Sequence, residues 1–178
     1  MSRQLPDPER CPPPPRGRAP GWFVVVLLLA LVRSPAALAL ESLSSFPHSQ
    51  LSIQTQAGMQ HFDIWVADTA QRSEQGLMFV HSLPPASGML FPLERPGAMR
   101  MWMKNTLIPL DMLFIDVRGE IIYIQHKATP ESEAIITTPA MVVTPVKAVL
   151  ELAGGECDRR HIQQGDRVIH FLFRIDAR

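Results

Sequence analysis

Short segments in which apolar and polar residues alternate follow one another at close spacing from residue 51 onward. Leu51–Gln56, His61–Ala67, Glu120–His126 and Arg167–Arg174 all show this period of two. Successive side chains of a strand point to opposite faces, so the alternation indicates strands with one buried face. Only two segments, one after Asp68 and one over 155–161, favour short helices. We predict a mostly β fold, a compact β-sandwich or barrel-like domain of about eight short strands with two short helices.

The first 39 residues have a different character. Residues 1–21 contain seven prolines and four arginines, and an uninterrupted apolar run of 11 residues follows over 22–32. Arg33-Ser34-Pro35 closes that run, and Ala36-Ala37-Leu38-Ala39 comes next. A basic start, a short apolar run and a small-residue site are typical of a secretory signal peptide. An uncleaved membrane anchor is the alternative, although a spanning helix needs about 20 apolar residues.

The N-terminus therefore predicts an exported protein, periplasmic or extracellular, with residues 1–39 as a signal peptide cleaved after Ala39. Membrane attachment is expected only through this segment, if it is not cleaved. Residues 40–50 are polar and serine-rich and predict a tether, which leaves 51–176 as a single β-rich domain.

Charge and motif content limit the function classes. Without residues 1–39, 12 basic and 15 acidic residues remain, a formal charge of −3. Binding to nucleic acid needs a basic surface, so we expect no nucleic-acid partner. Cys157 is then the only cysteine, so no intrachain disulfide is expected. No phosphate-binding loop, nucleophile elbow or zinc-binding helix motif occurs in the sequence, and we expect no cofactor.

The densest group of polar and aromatic residues in an apolar context is Met101–Asp111. Ala98–Lys104 predicts a strand, and Asn105 stands where that strand must turn, a position that tolerates left-handed backbone. Asp111 lies in an apolar run, where an unpaired carboxylate is costly to bury. We expect it to find a cationic partner in one of three residues, Lys104, Arg72 or Arg100.

Two interpretations of this group compete. In the structural one, Lys104 and Asp111 form a buried pair that holds a strand–turn–strand unit. In the functional one, the side chains line a cleft in which Trp102 offers a flat apolar surface and Glu151 contributes a further carboxylate. The ligand-binding candidates are Arg72, Trp102, Lys104, Asn105 and Asp111.

Three functions remain open. The first is a non-enzymatic binding or accessory module for an envelope component or small molecule. The second is a hydrolase or lyase acting on an envelope polymer, with Asp111 and Glu151 as an acid–base pair. The third is Cu(I) handling by the thioethers of Met101 and Met103, although alternating methionines are more often core residues.

Several stretches resemble one known family, the domain of unknown function 192 family. They are Val66-Ala67-Asp68-Thr69 with Arg72, Gly76-Leu77-Met78-Phe79, Gly88-Met89-Leu90-Phe91, Trp102-Met103-Lys104-Asn105-Thr106 through Leu110-Asp111 and Phe114, Val149-Leu150-Glu151-Leu152 with Gly154, and Gly165-Asp166. The resemblance implies a compact β-sandwich-like domain with short helices in small bacterial and archaeal proteins that often bear export signals. It implies a binding role in the cell envelope and brings no activity with it.

Overall fold

The computed structural model describes residues 40–173, so the predicted signal peptide and residues 174–176 lie outside the described part. Within it lie seven strands, two short α-helices and one 3-10 turn over Leu43–Ser45. The helices are α1 (Ala70–Gln75) and α2 (Glu156–Arg160). The strands are β1 (His48–Thr55), β2 (Gly58–Val66), β3 (Ser87–Gly97), β4 (Leu110–Ile115), β5 (Ile121–Ala128), β6 (Val146–Ala153) and β7 (Arg167–Ile169). Among residues 40–173, no helix has the length and apolar content that crossing a membrane requires.

All seven strands belong to one mixed sheet in the order β5-β4-β6-β3-β2-β1-β7. Every strand pair is antiparallel except β2 with β3, which run parallel through the crossover that contains α1. The two edges of the sheet approach each other at one bridge, Glu120–Arg167, without forming a closed barrel. The predicted fold class, mostly β with two short helices, is confirmed, with seven strands rather than about eight.

The sheet buries both of its faces. We call them the Leu150 face and the Val149 face, after two adjacent residues of β6. The Leu150 face carries aliphatic side chains from all seven strands, including Ile64 and Leu113. The Val149 face is covered by segments outside the sheet and is rich in methionine and phenylalanine. Because β6 is buried on both sides, its sequence lacks strict alternation.

Residues 40–50 are part of the domain, which differs from the predicted tether. Phe46 is buried, and β1 already begins at His48. The Gln75 side chain on α1 accepts a hydrogen bond from the Glu41 N–H and donates one to the Glu41 carbonyl oxygen, both at 2.7 Å. The buried Phe46 ring and the two hydrogen bonds of the Gln75 amide therefore hold residues 40–50 against the domain, although their polar composition predicted a tether.

Three further local predictions need correction. The segment 98–104 is not a strand, because its ladder contacts reduce to a single bridge between Met101 and Ile136. The last strand ends at Ile169, and residues 171–173 form a turn. Thr69, rather than Asp68, accepts the capping hydrogen bond at the start of α1. The helix ends at Gln75, and Gly76 follows it with a φ of +49°.

Candidate functional site

A cleft of about 280 Å³ lies between α1 and the segment that precedes β4. One wall is the face of α1 that carries Gln71, Glu74 and Gln75, which are spaced three and four residues apart and so lie on one side of the helix. The opposite wall and the floor come from two turns. The complete lining is Leu40, Gln71, Glu74, Gln75, Met78, Phe79, Trp102, Lys104 and Asn105.

The floor of the cleft contains two residues with left-handed backbone. Phe79 has φ +60° and Asn105 has φ +55°. The Phe79 N–H donates a hydrogen bond to the Asn105 carbonyl oxygen at 2.8 Å, and the Asn105 amide nitrogen lies 3.8 Å from the Met78 sulfur. Asparagine tolerates this conformation, whereas a phenylalanine in it is unusual. Such strained positions cluster at functional sites because packing must hold them in place.

Two aromatic side chains remain partly exposed at this cleft. The exposed fraction is 48% for Phe79 and 38% for Trp102. The Lys104 ammonium lies 5.5 Å from the centroid of the Trp102 ring, close enough for a cation–π contact. Lys104 therefore stays at the cleft and does not pair with Asp111. The predicted Lys104–Asp111 ion pair is wrong.

A narrow neck of about 20 Å³ shares five of its lining residues with the cleft and also includes Glu151, which lies on the Val149 face of β6. The Glu151 side chain is 4% exposed, and no residue within 40–173 forms a hydrogen bond or ion pair with its carboxyl group. Every fully sealed side-chain oxygen and nitrogen in that range has a partner, so the unpaired Glu151 oxygens retain contact with the neck. Burial raises the pKa of Glu151 from 4.5 to about 8.

Asp111 lies elsewhere and is fully occupied. Its Oδ1 accepts the Lys127 N–H at 2.8 Å, and its Oδ2 accepts the Gly155 and Cys157 N–H groups, each at 2.9 Å. Gly155, the N-cap residue of α2, offers no capping side chain, and Asp111 takes that role from a different strand. Neither Lys104, Arg72 nor Arg100 is its partner. The buried carboxylate is satisfied by backbone N–H groups.

The two carboxylates cannot act on one substrate. Met112 is the residue opposite Glu151 in the β4–β6 ladder, and Asp111 is opposite Leu152. Directly opposite residues project to the same face, and neighbours along a strand project to opposite faces. Glu151 therefore lies on the Val149 face, whereas Asp111 lies on the Leu150 face. The predicted acid–base pair is wrong, and the hydrolase or lyase hypothesis that depended on it loses its support.

Arg72 anchors the N-terminal segment and does not line the cleft. Its guanidinium bonds to Glu41 at 3.0 Å and Asp68 at 2.8 Å, donates to the Ser45 carbonyl oxygen at 3.1 Å, and lies 5.3 Å from the Phe46 ring centroid. These contacts engage the Arg72 guanidinium group in holding the N-terminal segment to the domain. Of the five ligand-binding candidates, the structure brings Trp102, Lys104 and Asn105 together and places Arg72 and Asp111 elsewhere.

The methionine candidates are core residues. Met103 is fully buried, and Met101 is 7% exposed, both in the cluster that covers the Val149 face. The Met103 N–H donates to the Ser132 carbonyl oxygen at 2.9 Å, which ties this segment to the long loop before β6. Among residues 40–173, no three His, Cys, Asp or Glu side chains lie close enough to hold a metal ion.

A second depression, of about 460 Å³, lies beside α2. Its Asp158 carboxylate is already paired, since it contacts the Lys127 ammonium at 2.9 Å and lies 3.9 Å from the His126 ring. The Cys157 thiol on its inner side is buried, and burial together with the nearby Asp111 carboxylate raises its pKa. A buried thiol with a raised pKa is a poor nucleophile. We therefore place the candidate site at the Trp102 cleft.

The comparisons with known proteins agree with this fold. The profile of the DUF192 family, described as "Uncharacterized ACR", matches residues 52–170. This chain belongs to the DUF192 family. The match includes every cleft residue except Leu40, together with Glu151.

Two solved structures are similar to this DUF192 protein. One, from Sinorhizobium meliloti 1021, carries the description "putative transcription regulator"; it is 38% identical, with 70% of this chain and 95% of that chain covered and a TM-score of 0.66. The other is a protein of unknown function from Novosphingobium aromaticivorans DSM 12444, 30% identical, with coverage of 74% and 91% and a TM-score of 0.68. No curated protein matches the chain.

Sequence reasoning missed several cleft residues. Phe79 and Met78 belong to an apolar stretch that predicts core, and nothing in the sequence marks the left-handed backbone of Phe79. Gln71, Glu74 and Gln75 show the spacing of one helix face, a signal that was available. Leu40 was assigned to the tether.

Proposed function

We propose that this DUF192 protein is an exported, non-enzymatic binding module of the cell envelope, and that the Trp102 cleft holds a small molecule or a small part of an envelope component. One observation carries the proposal. Two partly exposed aromatic rings, two residues with left-handed backbone, and a buried carboxyl group that has no partner within residues 40–173 converge on a single concave site. Concave, partly apolar sites with a few converging polar groups are the usual form of ligand sites.

Binding is favoured over catalysis by the arrangement of the titratable groups. A hydrolase needs two groups of suitable protonation state at one reacting bond. In the cleft and its neck, the charged side chains are Glu74, Lys104 and Glu151, and Lys104 is engaged with the Trp102 ring. The second buried carboxylate, Asp111, lies on the opposite face of the sheet and is used in a helix cap.

Export is supported by the three-part pattern in residues 1–39. Leu40 directly follows the predicted cleavage site and lies at the cleft. Processing therefore determines whether the chain ends at the site or continues from it. The description of the Sinorhizobium meliloti relative is not carried over as a DNA-binding role, because residues 40–178 have a formal charge of −3.

Export is tested by expressing the complete reading frame in a Gram-negative host and separating cytoplasm, periplasm and membranes. We expect the protein in the periplasmic fraction, with Leu40 at its N-terminus by mass spectrometry. Replacing Ala37 and Ala39 by arginine should block cleavage and retain the protein in the membrane fraction. An unprocessed protein in the cytoplasm would contradict export.

Binding is tested with the protein purified as the host processes it. We incubate it with the low-molecular-mass fraction of a cell-envelope extract, wash it, and record native mass spectra. We expect a retained species that is lost in Trp102→Ala but kept in Phe171→Ala, which removes an exposed ring 86% accessible to solvent and outside the cleft. Equal retention by both variants, or no retained species, would contradict the proposal.

A further inference from the structure

The neck contains the Glu151 carboxyl group, which accepts no hydrogen bond from any of the residues 40–173. Three donors in its wall are already used within the protein: the Ser73 hydroxyl donates to the Ala67 carbonyl oxygen at 3.0 Å, the Gln75 amide to the Glu41 carbonyl oxygen at 2.7 Å, and the Thr106 hydroxyl to the Lys104 carbonyl oxygen at 3.4 Å. Lys104 and Trp102 carry the other side-chain donors of the wall. The Lys104 ammonium lies over the Trp102 ring, and within residues 40–173 neither side chain donates to Glu151. None of the residues 40–173 donates to Glu151, so a group outside that range must supply the hydrogen bond.

The size of the neck limits what can reach Glu151. A free volume of about 20 Å³ holds roughly one water-sized group, that is, one heavy atom with its hydrogens. A terminal group of one heavy atom, such as an ammonium, hydroxyl or methyl group, suits that space better than a carboxylate, an amide or a ring. A methyl group would leave the Glu151 carboxyl without a hydrogen-bond donor.

The charges select among the groups that fit. The ionisable side chains that face the neck are Glu151 from β6, Glu74 from α1, and Lys104 from the segment before β4. With Glu151 neutral before binding, Glu74 and Lys104 balance each other. A cation is favoured over an anionic group because it can pair with Glu151 once that carboxyl loses its proton. An ammonium group brings three N–H donors. Besides the Glu151 oxygens, it would meet the Thr106 hydroxyl, whose hydrogen is already donated, and the thioethers of Met78 and Met101, which are weak acceptors.

We infer that Glu151 is the anchor for a primary ammonium group, and that the cleft binds a small primary amine whose apolar body lies against Trp102 and Phe79. This inference rests on the proposed binding function and adds the chemical class of the ligand. The cleft of about 280 Å³ leaves room for a ring-sized body outside the neck. The two exposed aromatic faces provide the apolar contact.

Binding of the amine is coupled to a proton. Before binding, Glu151 is mostly a neutral acid at pH 7. The ammonium group brings its own positive charge and stabilises the carboxylate, so the carboxyl proton leaves to the buffer. No covalent bond forms. Affinity should therefore rise about tenfold per pH unit below the pKa of Glu151 and level off above it.

The test uses two probes of the same shape, phenethylamine and 2-phenylethanol, which differ in the charged or neutral end. Isothermal titration with the protein purified from its complete reading frame, in buffers of different ionisation enthalpy, measures both affinity and protons released. At pH 7 we expect phenethylamine to bind at least about tenfold more tightly than the alcohol, with release of close to one proton. The affinity for the alcohol should not change between pH 5 and pH 8.

Variants then assign the effect to Glu151. Glu151→Gln keeps the shape and replaces one neutral group by another, so it should fold, and it should lower phenethylamine affinity at least about tenfold and abolish proton release. Glu133→Gln, the matched control at an exposed acid outside the cleft and the neck, should change affinity less than about threefold.

Equal binding of amine and alcohol, or an amine preference that survives in Glu151→Gln, would overturn the inference and leave the proposed binding function standing. Absence of binding by either probe at millimolar concentration would also overturn it. In that case the envelope-extract experiment decides separately whether the cleft binds anything.

Discussion

Asp111 and Glu151 are buried acids on neighbouring strands of one sheet, offset by a single residue in register, and their surroundings are opposite. Asp111, on the Leu150 face, accepts three backbone N–H groups and joins the end of β5 and the start of α2 to β4. Glu151, on the Val149 face, has no partner within residues 40–173 and contacts the neck of a cleft. Both are under 5% exposed.

Burial by itself therefore does not reveal the role of an acidic residue. An acid whose lone pairs are filled by backbone donors is part of the scaffold, because removing it leaves those donors unsatisfied. An acid that is buried without a partner destabilises the fold, and such groups concentrate at functional sites. The predictions below test whether the two residues separate in this way.

The largest expected effect is that of Asp111→Ala. Two buried N–H groups and one partly buried N–H group would lose their acceptor, and we expect the free energy of unfolding to fall by about 4 kcal/mol at pH 7. The shift of the urea unfolding midpoint measures this loss. Asp111→Asn keeps one acceptor oxygen and should lose only about half as much. A loss below about 1 kcal/mol for the alanine variant would show that Asp111 is not the structural cap described above.

The next effect has the opposite sign. Glu151→Gln should stabilise the protein at pH 7 by up to about 3 kcal/mol, because the folded state no longer holds a carboxyl that resists ionisation. The folded pKa of about 8 lies above the ordinary value of 4.5. Below about pH 4.5 the native protein should therefore be as stable as Glu151→Gln, and it should become progressively less stable than this variant as the pH rises towards 8.

Urea unfolding of the native protein and of Glu151→Gln at several pH values measures this difference. The two curves should converge near pH 4.5 and separate progressively up to pH 8. The exposed Glu74→Gln control should follow the native protein within about 0.5 kcal/mol. A difference that does not change with pH would mean that burial leaves the ionisation of Glu151 unaltered.

The smallest expected effect on stability is that of Trp102→Ala. The ring is 38% exposed and contributes one cation–π contact, so the free energy of unfolding should change by about 1 kcal/mol or less.

Trp102 also lines the neck, and its removal should let water reach Glu151 and lower the pKa of that residue. The difference in free energy of unfolding between Trp102→Ala and the double variant Trp102→Ala/Glu151→Gln should therefore depend less on pH than the difference between the native protein and Glu151→Gln. An unchanged pH dependence would separate Trp102 from the Glu151 site.

The fold was largely predictable because strand alternation and turn residues are local signals. The hairpin turn at Gly119, with φ +82°, and the end of α1 at Gly76 both follow from single glycines. The segment 98–104 was wrongly predicted to be a strand because its pattern of buried and exposed residues is that of a strand. It alternates in burial, with Met101 and Met103 inward and Trp102 and Lys104 outward, yet it pairs with a loop at one bridge.

The candidate site was predictable only in part. Trp102, Lys104 and Asn105 are close in sequence, so their meeting at one cleft required little tertiary information. Arg72 and Asp111 were misplaced because their partners, Glu41 and the backbone of α2, are distant in sequence and carry no motif. The neck that reaches Glu151 forms between α1, β6 and the segment before β4. No local pattern specifies such a junction.

The sequence by itself determined the β-rich class, the glycine turns and the segment that carries the candidate site, and it predicts the export signal. These depend on local backbone preference and on residue type. Tertiary structure decided which of two similar acids became scaffold and which remained unpaired, because one residue of register on a sheet sends neighbouring side chains to opposite faces. Tertiary contacts also hold the serine-rich segment 40–50 beside the cleft, because Arg72 and Gln75 bond to Glu41.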